Sequence, residues 1–160
     1  MREYKIEAVM NICEMAELSE EDRELVEAAK QATNGSYAPY SNFHVGAAAR
    51  LRNGIVVTGA NQENAAFPSG LCAERTALFA AGAQHPDQPV VALAIAARKG
   101  NRFLSQPIPP CGACRQVISG AEERHGVPIR ILLYGTDGVL VSNGISPLLP
   151  LRFVDEDMRN

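Results

Sequence analysis

The sequence has 160 residues, of which 46% are hydrophobic and 21% are charged. These values are typical of a soluble globular protein with one full core. The formal net charge of −3 provides no basic surface, which argues against a nucleic-acid partner.

The thiols and the amino-terminal segment bear on where the protein works. Charged residues interrupt the first 18 positions, so the segment lacks the apolar core of a signal peptide. No run approaches the roughly 18 apolar residues that span a bilayer, so no membrane partner is expected. We therefore expect a cytoplasmic protein. In that reducing compartment the four cysteines are predicted to be ligands, nucleophiles or buried thiols rather than disulfides.

Two helices are predicted in the first part of the chain. Residues 1–18 place several apolar side chains near one face of a short helix, and we interpret them as an extension of a single domain that spans residues 1–160. Ser19 is predicted to cap the next helix, because the three acidic residues after it favour the positive end of a helix dipole. Asn34 and Gly35 predict where that helix ends.

A loop and an antiparallel hairpin follow. Residues 37–43 are rich in proline, asparagine and aromatic side chains, which predicts a loop that leads into a strand at residues 44–52. Asn53 and Gly54 form the strongest short hairpin signal, and residues 55–60 supply the returning strand.

The middle of the chain alternates helices with buried strands. A helix is predicted from Cys72 to about Gly82, and the apolar run at residues 90–97 predicts a central strand. Residues 99–110 form a proline-containing connection, and a second helix is predicted from Cys111 to about residue 125.

The last part of the chain is predicted to add two strands and a helix. Residues 129–134 form an apolar strand, which a turn at Asp137 and Gly138 joins to a strand at residues 139–142. Residues 146–147 resemble a helix start, with proline at the first helical position. The whole order predicts a three-layer α/β/α sandwich around a mixed sheet of about five strands, part of it parallel because of right-handed crossovers.

Three cysteines and one glutamate form the candidate site. Cys111 and Cys114 have a spacing that serves redox pairs and structural zinc equally, but Cys72 adds a third thiol. A closed zinc site usually has four protein ligands, whereas a catalytic one has three and keeps a position for water. Cys13 could complete a closed set, although it lies in a predicted helix with no other ligand nearby. Glu74 favours the catalytic interpretation.

The spacing of Cys72 and Glu74 requires an irregular helix entrance. On a regular helix these positions would point about 160° apart. Pro68 and Gly70 break the chain just before them, and Pro110 is tolerated at the start of a helix. Both runs of ligands are thus predicted to open helices, where free N–H groups and the helix dipole favour thiolates.

These features resemble the zinc-dependent cytidine deaminase superfamily, whose pattern is matched by Cys72-x-Glu74 and Pro110-Cys111-x-x-Cys114. Further matching runs narrow the resemblance to the small homotetrameric nucleoside deaminases, at residues 37–43, 45–48, 61–65, 72–78 and 111–117. The resemblance extends from about Ser19 to Phe153. It implies a cytidine deaminase-like fold, one zinc ion per subunit, and a homotetramer whose sites are shared between subunits.

The resemblance also implies the roles of the central residues. Cys72, Cys111 and Cys114 would hold zinc, and Glu74 would take a proton from the zinc-bound water so that hydroxide attacks C4 of cytosine. Three thiolates make the centre negative, which opposes ionisation of that water. Arg75, which hydrogen-bonds a ligand sulfur in the family, would withdraw charge.

The substrate contacts come from the resemblance as well. Asn61 and Glu63 would hold the ribose hydroxyls, and the backbone of Ala73, with that of the second thiol run, would hold the pyrimidine edge. Phe43 would pack on the pyrimidine ring, and Phe153 would enter the site of a neighbouring subunit. Without the resemblance, Asn61 would be interpreted as a turn former and Phe153 as tail packing.

The expected activity is hydrolysis of cytidine and deoxycytidine to uridine and deoxyuridine plus ammonia, in pyrimidine salvage. Two alternatives stay open: a deaminase of an aminonucleoside antibiotic of the blasticidin type, and a noncatalytic zinc-stabilised binding protein. Phe67 departs from the tyrosine that the family commonly has near a subunit interface. No chemistry is assigned to His44, His85 or His125, because none is spaced as a ligand.

Overall fold

The computed structural model, which describes residues 1–154 and residue 158, contains one mixed sheet with helices on both faces. Within the described residues the strands are β1 (Asn11–Cys13), β2 (Phe43–Leu51), β3 (Val56–Ala60), β4 (Val90–Lys99), β5 (Arg102–Phe103), β6 (Arg130–Gly135) and β7 (Gly138–Asn143). The α-helices are α1 (Glu20–Ala32), α2 (Ala73–Gln84) and α3 (Gly112–His125).

The strands are ordered β1-β7-β6-β4-β2-β3, and β5 pairs with the end of β4. Strands β4 and β6 are parallel and are joined through α3, whereas the other pairs are antiparallel. The predicted mixed sheet is therefore confirmed. It has seven strands rather than five, since the short strands β1 and β5 extend it.

The helices form two layers, as predicted. Helix α1 begins where the Ser19 hydroxyl accepts a hydrogen bond of 3.2 Å from the backbone N–H of Asp22, and it packs Leu25, Val26 and Ala29 onto one face of the sheet. Helices α2 and α3 cover the opposite face. This arrangement confirms the three-layer architecture and places the starts of α2 and α3 on the same side.

The closest approaches of helix to sheet occur at two glycines. A Cβ atom on Gly59 would lie 2.4 Å from the backbone nitrogen of Ala77 in α2, and one on Gly46 would lie 2.1 Å from the carbonyl oxygen of Ala29 in α1. Real Cβ atoms essentially never approach other atoms so closely. Glycine at residue 59 therefore sets how near α2, which follows Cys72, lies to the sheet.

Two predicted helices were wrong. Residues 1–10 form neither helix nor strand, Met15–Glu17 is a 3₁₀ turn, and β1 pairs with β7. Pairing satisfies backbone groups that β7 would otherwise expose at the sheet edge, and this outweighs a weak local helical pattern. Residues 146–150 form turns, because Pro150 lacks the N–H that a continuing helix would need.

The remaining elements begin and end within a few residues of their predicted positions. Gly126 ends α3 in the left-handed conformation, with φ of 63°, as its place after the helix suggested. Within the described residues, no helix is both long and apolar enough to cross a membrane.

Candidate active site

The three thiols predicted as metal ligands lie together at the starts of α2 and α3. The Sγ atom of Cys111 is 3.8 Å from that of Cys72 and 3.4 Å from that of Cys114, and all three lie within 4.8 Å of one another. Tetrahedral zinc with Zn–S bonds of about 2.3 Å separates its sulfurs by about 3.8 Å. The thiols therefore fit one zinc ion, the metal that soft sulfur ligands favour.

The local backbone explains why the thiols point to one place. Cys72 and Cys111 are the N-cap residues of α2 and α3, with extended backbone angles. Their carbonyls accept the first helical hydrogen bonds, from the N–H groups of Thr76 at 3.0 Å and Arg115 at 2.9 Å. Their side chains lie outside the helices, and the free N–H groups of both first turns face the thiols.

The fourth cysteine is not part of this cluster. Cys13 lies in β1, and its Sγ atom donates a long hydrogen bond of 3.8 Å to the carbonyl oxygen of Val139 in β7. Among the described residues, the cluster that could hold a metal consists of Cys72, Cys111 and Cys114 alone. This placement removes the basis for a closed set of four cysteines.

Cys72 and Cys114 differ in how readily they lose a proton. A hydrogen bond from Cys114 and the hydrogen bond and charge of the neighbouring Arg75 guanidinium together lower the pKa of Cys72 to about 5. The hydrogen bond between the two thiols, together with burial, raises the pKa of Cys114 above its usual range. Of these two thiols, Cys72 thus more readily becomes a thiolate.

Arg75 contacts the thiol cluster directly. Its Nη2 atom donates to the Sγ atom of Cys72 at 3.5 Å, and this contact raises the pKa of the guanidinium. Among the described side chains, the Nε atom of Arg75 is buried without a hydrogen-bond partner. The positive charge therefore lies where it can offset the charge of the thiolates.

Glu74 lies in the first turn of α2 and is 96% buried, since its relative exposure is 4%. Burial raises the pKa of this carboxyl group, and the negative charge of Cys72 raises it further. A raised pKa makes this carboxyl group a better proton acceptor than an ordinary glutamate and lets it serve as both base and acid.

A cavity of about 270 Å³ adjoins the thiols. Among its lining residues are Asn61, Glu63, Phe67 and Cys72. The two residues predicted to hold ribose thus share a cavity with a predicted metal ligand. A pyrimidine nucleoside is small enough for a site of this class.

The side-chain amide of Asn61 spends most of its hydrogen-bonding capacity on groups of the protein itself. Its Oδ1 atom accepts hydrogen bonds from the backbone N–H of Val45 at 2.8 Å and from the hydroxyl of Ser36 at 2.5 Å. Its Nδ2 atom donates to the carbonyl oxygen of Phe43 at 2.9 Å. Because an amide nitrogen carries two hydrogens, one N–H remains for a ligand.

Glu63 is similarly engaged with the loop at residues 37–43. Its Oε2 atom accepts from the backbone N–H groups of Tyr40 at 2.9 Å and Ser41 at 3.3 Å, and its Oε1 atom accepts from the Ser41 hydroxyl. These hydrogen bonds, led by that hydroxyl, lower the pKa of Glu63. A carboxylate has about four acceptor sites, so one remains for a ligand in the cavity that Asn61 also lines.

The other predicted substrate residues, Phe43, Ala73 and Phe153, are not among the residues that line this cavity. Phe43 is half-buried at the start of β2, and Ala73 is fully buried at the start of α2. The Phe153 side chain is 57% exposed, and its carbonyl oxygen accepts a hydrogen bond of 2.9 Å from Gln116 in α3. Phe67 is exposed and packs edge-on against Tyr40, with ring centres 5.9 Å apart.

Sequence patterns indicated no role for Ser36 and His44, which the fold connects to Asn61 through hydrogen bonds. The ring of His44 lies 3.1 Å from the Ser36 hydroxyl oxygen, which in turn donates to Asn61. These contacts join residues 8 and 25 positions apart. No local spacing could have indicated them.

Comparisons with known proteins agree with this geometry. Residues 19–127 match the family described as the cytidine and deoxycytidylate deaminase zinc-binding region. A cytidine deaminase from Halalkalibacterium halodurans is 42% identical over 136 residues, which cover 85% of this chain and 96% of that protein. The crystal structure of a Burkholderia pseudomallei cytidine deaminase is 41% identical with a TM-score of 0.68, covering 81% of this chain and 97% of that one. A blasticidin-S deaminase from Bacillus cereus is 30% identical over 139 residues, covering 85% of this chain and 94% of that protein.

Proposed function

Since the chain belongs to the cytidine and deoxycytidylate deaminase zinc-binding family, we propose that it hydrolyses cytidine and deoxycytidine to uridine and deoxyuridine, releasing ammonia. It is an enzyme of the cytidine deaminase type. The observation that carries the proposal is the cluster of three thiols beside the buried carboxyl group of Glu74. In this cluster the sulfur of Cys111 lies 3.8 Å from that of Cys72 and 3.4 Å from that of Cys114.

Each residue of the centre has a separate task. Cys72, Cys111 and Cys114 hold zinc, which supplies Lewis acidity that makes a water molecule nucleophilic near neutral pH. Glu74 accepts a proton from the attacking water and donates it to N3 of the pyrimidine. The same carboxylate then takes the remaining proton from the new C4 hydroxyl group and delivers it to the 4-amino group, which leaves as ammonia while the C4 carbonyl forms, so that one side chain serves as base and acid. Arg75 draws negative charge away from the ligand sulfur, so that the thiolates donate less charge to the metal and the metal stays a stronger Lewis acid.

The sugar is recognised by one hydrogen-bond donor of Asn61 and one acceptor site of Glu63, which the contacts within the protein leave unused. Asn61 retains one N–H and Glu63 retains one acceptor site. Together they match a single hydroxyl group, which accepts from the amide and donates to the carboxylate. The backbone of Ala73 holds the pyrimidine edge, with that of the second thiol run, and Phe43 packs against the ring.

We propose that the active enzyme is a homotetramer whose sites are shared between subunits. Its support is the set of exposed phenylalanines near the site and on α2, which a monomer would leave in water: Phe67 is 75% exposed, Phe79 is 52% exposed and Phe153 is 57% exposed. Large aromatic side chains are enriched among the residues that subunit interfaces bury. In this assembly Phe153 reaches the site of a neighbour.

The cellular setting is part of the same proposal. All four cysteines are free thiols, and zinc binding requires the three ligands to remain reduced, as the cytoplasm keeps them. We place the enzyme there, in pyrimidine salvage, as one domain with residues 1–18 as its extension.

The proposal is tested by following the ultraviolet absorbance of cytidine and deoxycytidine with the purified protein, alongside zinc content per chain. Glu74→Gln is expected to keep one zinc per chain and to lower kcat at least about 100-fold. Glu24→Gln, an exposed carboxylate change in α1, is the matched control and should keep full activity. A Glu74→Gln variant with near-normal turnover would refute the assignment.

A blasticidin-type substrate is the second candidate, because the Bacillus cereus relative named above acts on blasticidin S and is 30% identical. A competition assay between cytidine and the antibiotic separates the two. Preferred turnover of the antibiotic would replace the nucleoside assignment and leave the zinc chemistry unchanged.

A further inference from the structure

We propose that Ser36 and His44 are positioning residues for sugar recognition, because they fix the hydrogen-bonding pattern of the Asn61 amide. This inference rests on the proposed function, in which Asn61 contacts a hydroxyl of the nucleoside. The three side chains form one chain of hydrogen bonds that begins at the imidazole ring and ends at the cavity.

The orientation of the Asn61 amide is fixed by the backbone. The N–H of Val45 can only donate, so the atom that it meets at 2.8 Å must be Oδ1. The carbonyl of Phe43 can only accept, so the atom 2.9 Å from it must be Nδ2.

The orientation of the Ser36 hydroxyl follows from that of the amide. Its oxygen lies 2.5 Å from Oδ1 of Asn61, which has no hydrogen to give, so the single hydroxyl proton of Ser36 is donated there. The Ser36 oxygen can then only accept from the ring of His44 at 3.1 Å. The Nδ1 atom of His44 therefore carries a hydrogen.

This conclusion holds in both charge states of the ring. The Nε2 atom of His44 lies 3.2 Å from the side chain of Asn42. That amide presents its oxygen to a charged ring and its NH₂ group to a neutral ring. Either way the hydrogen on Nδ1 is retained, and the chain of hydrogen bonds to Asn61 is unchanged.

For substrate binding, the consequence is which atoms of the Asn61 amide remain available to hydrogen-bond the substrate. With Ser36 in place, both acceptor sites of Oδ1 are filled, so a substrate hydroxyl finds only the remaining N–H of Asn61. Without the Ser36 hydroxyl, Oδ1 regains a free acceptor site that water or the substrate hydroxyl can occupy, and only the two backbone groups still hold the amide. The substrate hydroxyl then no longer meets a single, defined donor.

The test combines protein variants with substrates that lack hydroxyls. Ser36→Ala and His44→Ala are expected to raise KM for cytidine about three- to tenfold, the effect of one hydrogen bond, with little change in kcat. The increase should vanish on 2′,3′-dideoxycytidine, while 2′-deoxycytidine and 3′-deoxycytidine report which hydroxyl is recognised. Such a cycle isolates the coupling between a side chain and one substrate group.

Conservative variants provide the rescue and the control. His44→Asn places an N–H donor near the position of Nδ1, and Ser36→Thr keeps a hydroxyl. Both variants should therefore have a KM for cytidine close to that of the wild-type protein, unlike the alanine variants. Asn42→Gly suits the positive φ of 53° at that residue and removes only the contact to Nε2, so its KM should stay normal. The imidazole ¹⁵N shifts of His44 should show a hydrogen on Nδ1.

Each result decides the inference. A KM increase of equal size on cytidine and on the dideoxynucleoside, no increase at all in Ser36→Ala, or a neutral ring with its hydrogen on Nε2 would overturn it. A wild-type protein that does not deaminate cytidine would instead refute the proposed function, and the inference with it. Normal wild-type turnover without coupling would refute the positioning role alone.

Discussion

The close approach of Gly59 to α2 makes Gly59→Ala an informative perturbation. The added Cβ would lie 2.4 Å from the nitrogen of Ala77 and 2.7 Å from the carbonyl oxygen of Ala73, whereas ordinary contact begins at 3.4 Å. Both partners are backbone atoms, so no side chain can rotate away. Strand β3 and helix α2 must therefore separate by about 1 Å.

The separation changes the active site whichever element moves. Glu74 lies on α2, and Asn61 directly follows β3, so the acid–base group and the hydroxyl-binding pair are displaced relative to each other. A misplacement of about 1 Å can lower turnover about 100-fold. Overpacking of this kind costs about 1–3 kcal/mol, which lowers Tm by about 2–12 °C in a chain of this size.

The assay compares Gly59→Ala with Gly46→Ala. The control has a slightly more severe clash, 2.1 Å from the carbonyl oxygen of Ala29, but against α1, which carries neither a thiol ligand nor Glu74. Because Gly46 follows Val45, which contacts Asn61, the two variants are compared on kcat rather than on KM. We expect similar losses of Tm, measured by calorimetry, with a much larger loss of kcat in Gly59→Ala, measured on zinc-loaded folded protein. Equal losses of kcat in both variants would refute the geometric argument.

Two further predictions concern charged side chains. Arg75→Gln should weaken zinc binding about 10- to 100-fold, because the donor to the Cys72 sulfur is removed; a competing chelator measures this, and Arg102→Gln, an exposed change, should leave it unaltered. Asp22→Asn should lower the free energy of unfolding in urea by about 1–3 kcal/mol, because the 5% exposed carboxylate receives Arg130 at 2.8 Å and Arg50 at 3.4 Å. Glu20→Gln in the same helical turn is the control, and an equal loss there would assign the effect to the helix dipole.

The sequence predicted the grouping of the three thiols better than it predicted the edges of the fold. The thiol runs could be recognised because ligand chemistry restricts residue types within short segments, and Cys72 and Cys111 both begin helices as expected. The middle strands and helices were predicted from local periodicity. The segment at residues 1–18 was mispredicted, because its pairing with β7 depends on residues more than 120 positions away.

The polar surroundings of the sugar site could not be predicted for a similar reason. Asn61 and Glu63 were singled out by resemblance, but their hydrogen bonds to residues 22–25 positions earlier are a property of the folded loop. His44 has no spacing to other residues that is typical of a ligand, and its contact with Ser36 exists only in the folded chain.

The thiol cluster also has a consequence for the unfolded chain. Zinc held by Cys72 and Cys111 would link positions 39 residues apart, and a groove of about 350 Å³ lies between the later turns of α2 and α3. A permanent tie across a loop of that length would restrict the unfolded ensemble by about 4 kcal/mol if it acted as a disulfide does. The ion would thus act as a cross-link between the starts of α2 and α3. A shortage of zinc would therefore lower the stability of the folded protein and shorten its lifetime, as well as stop deamination.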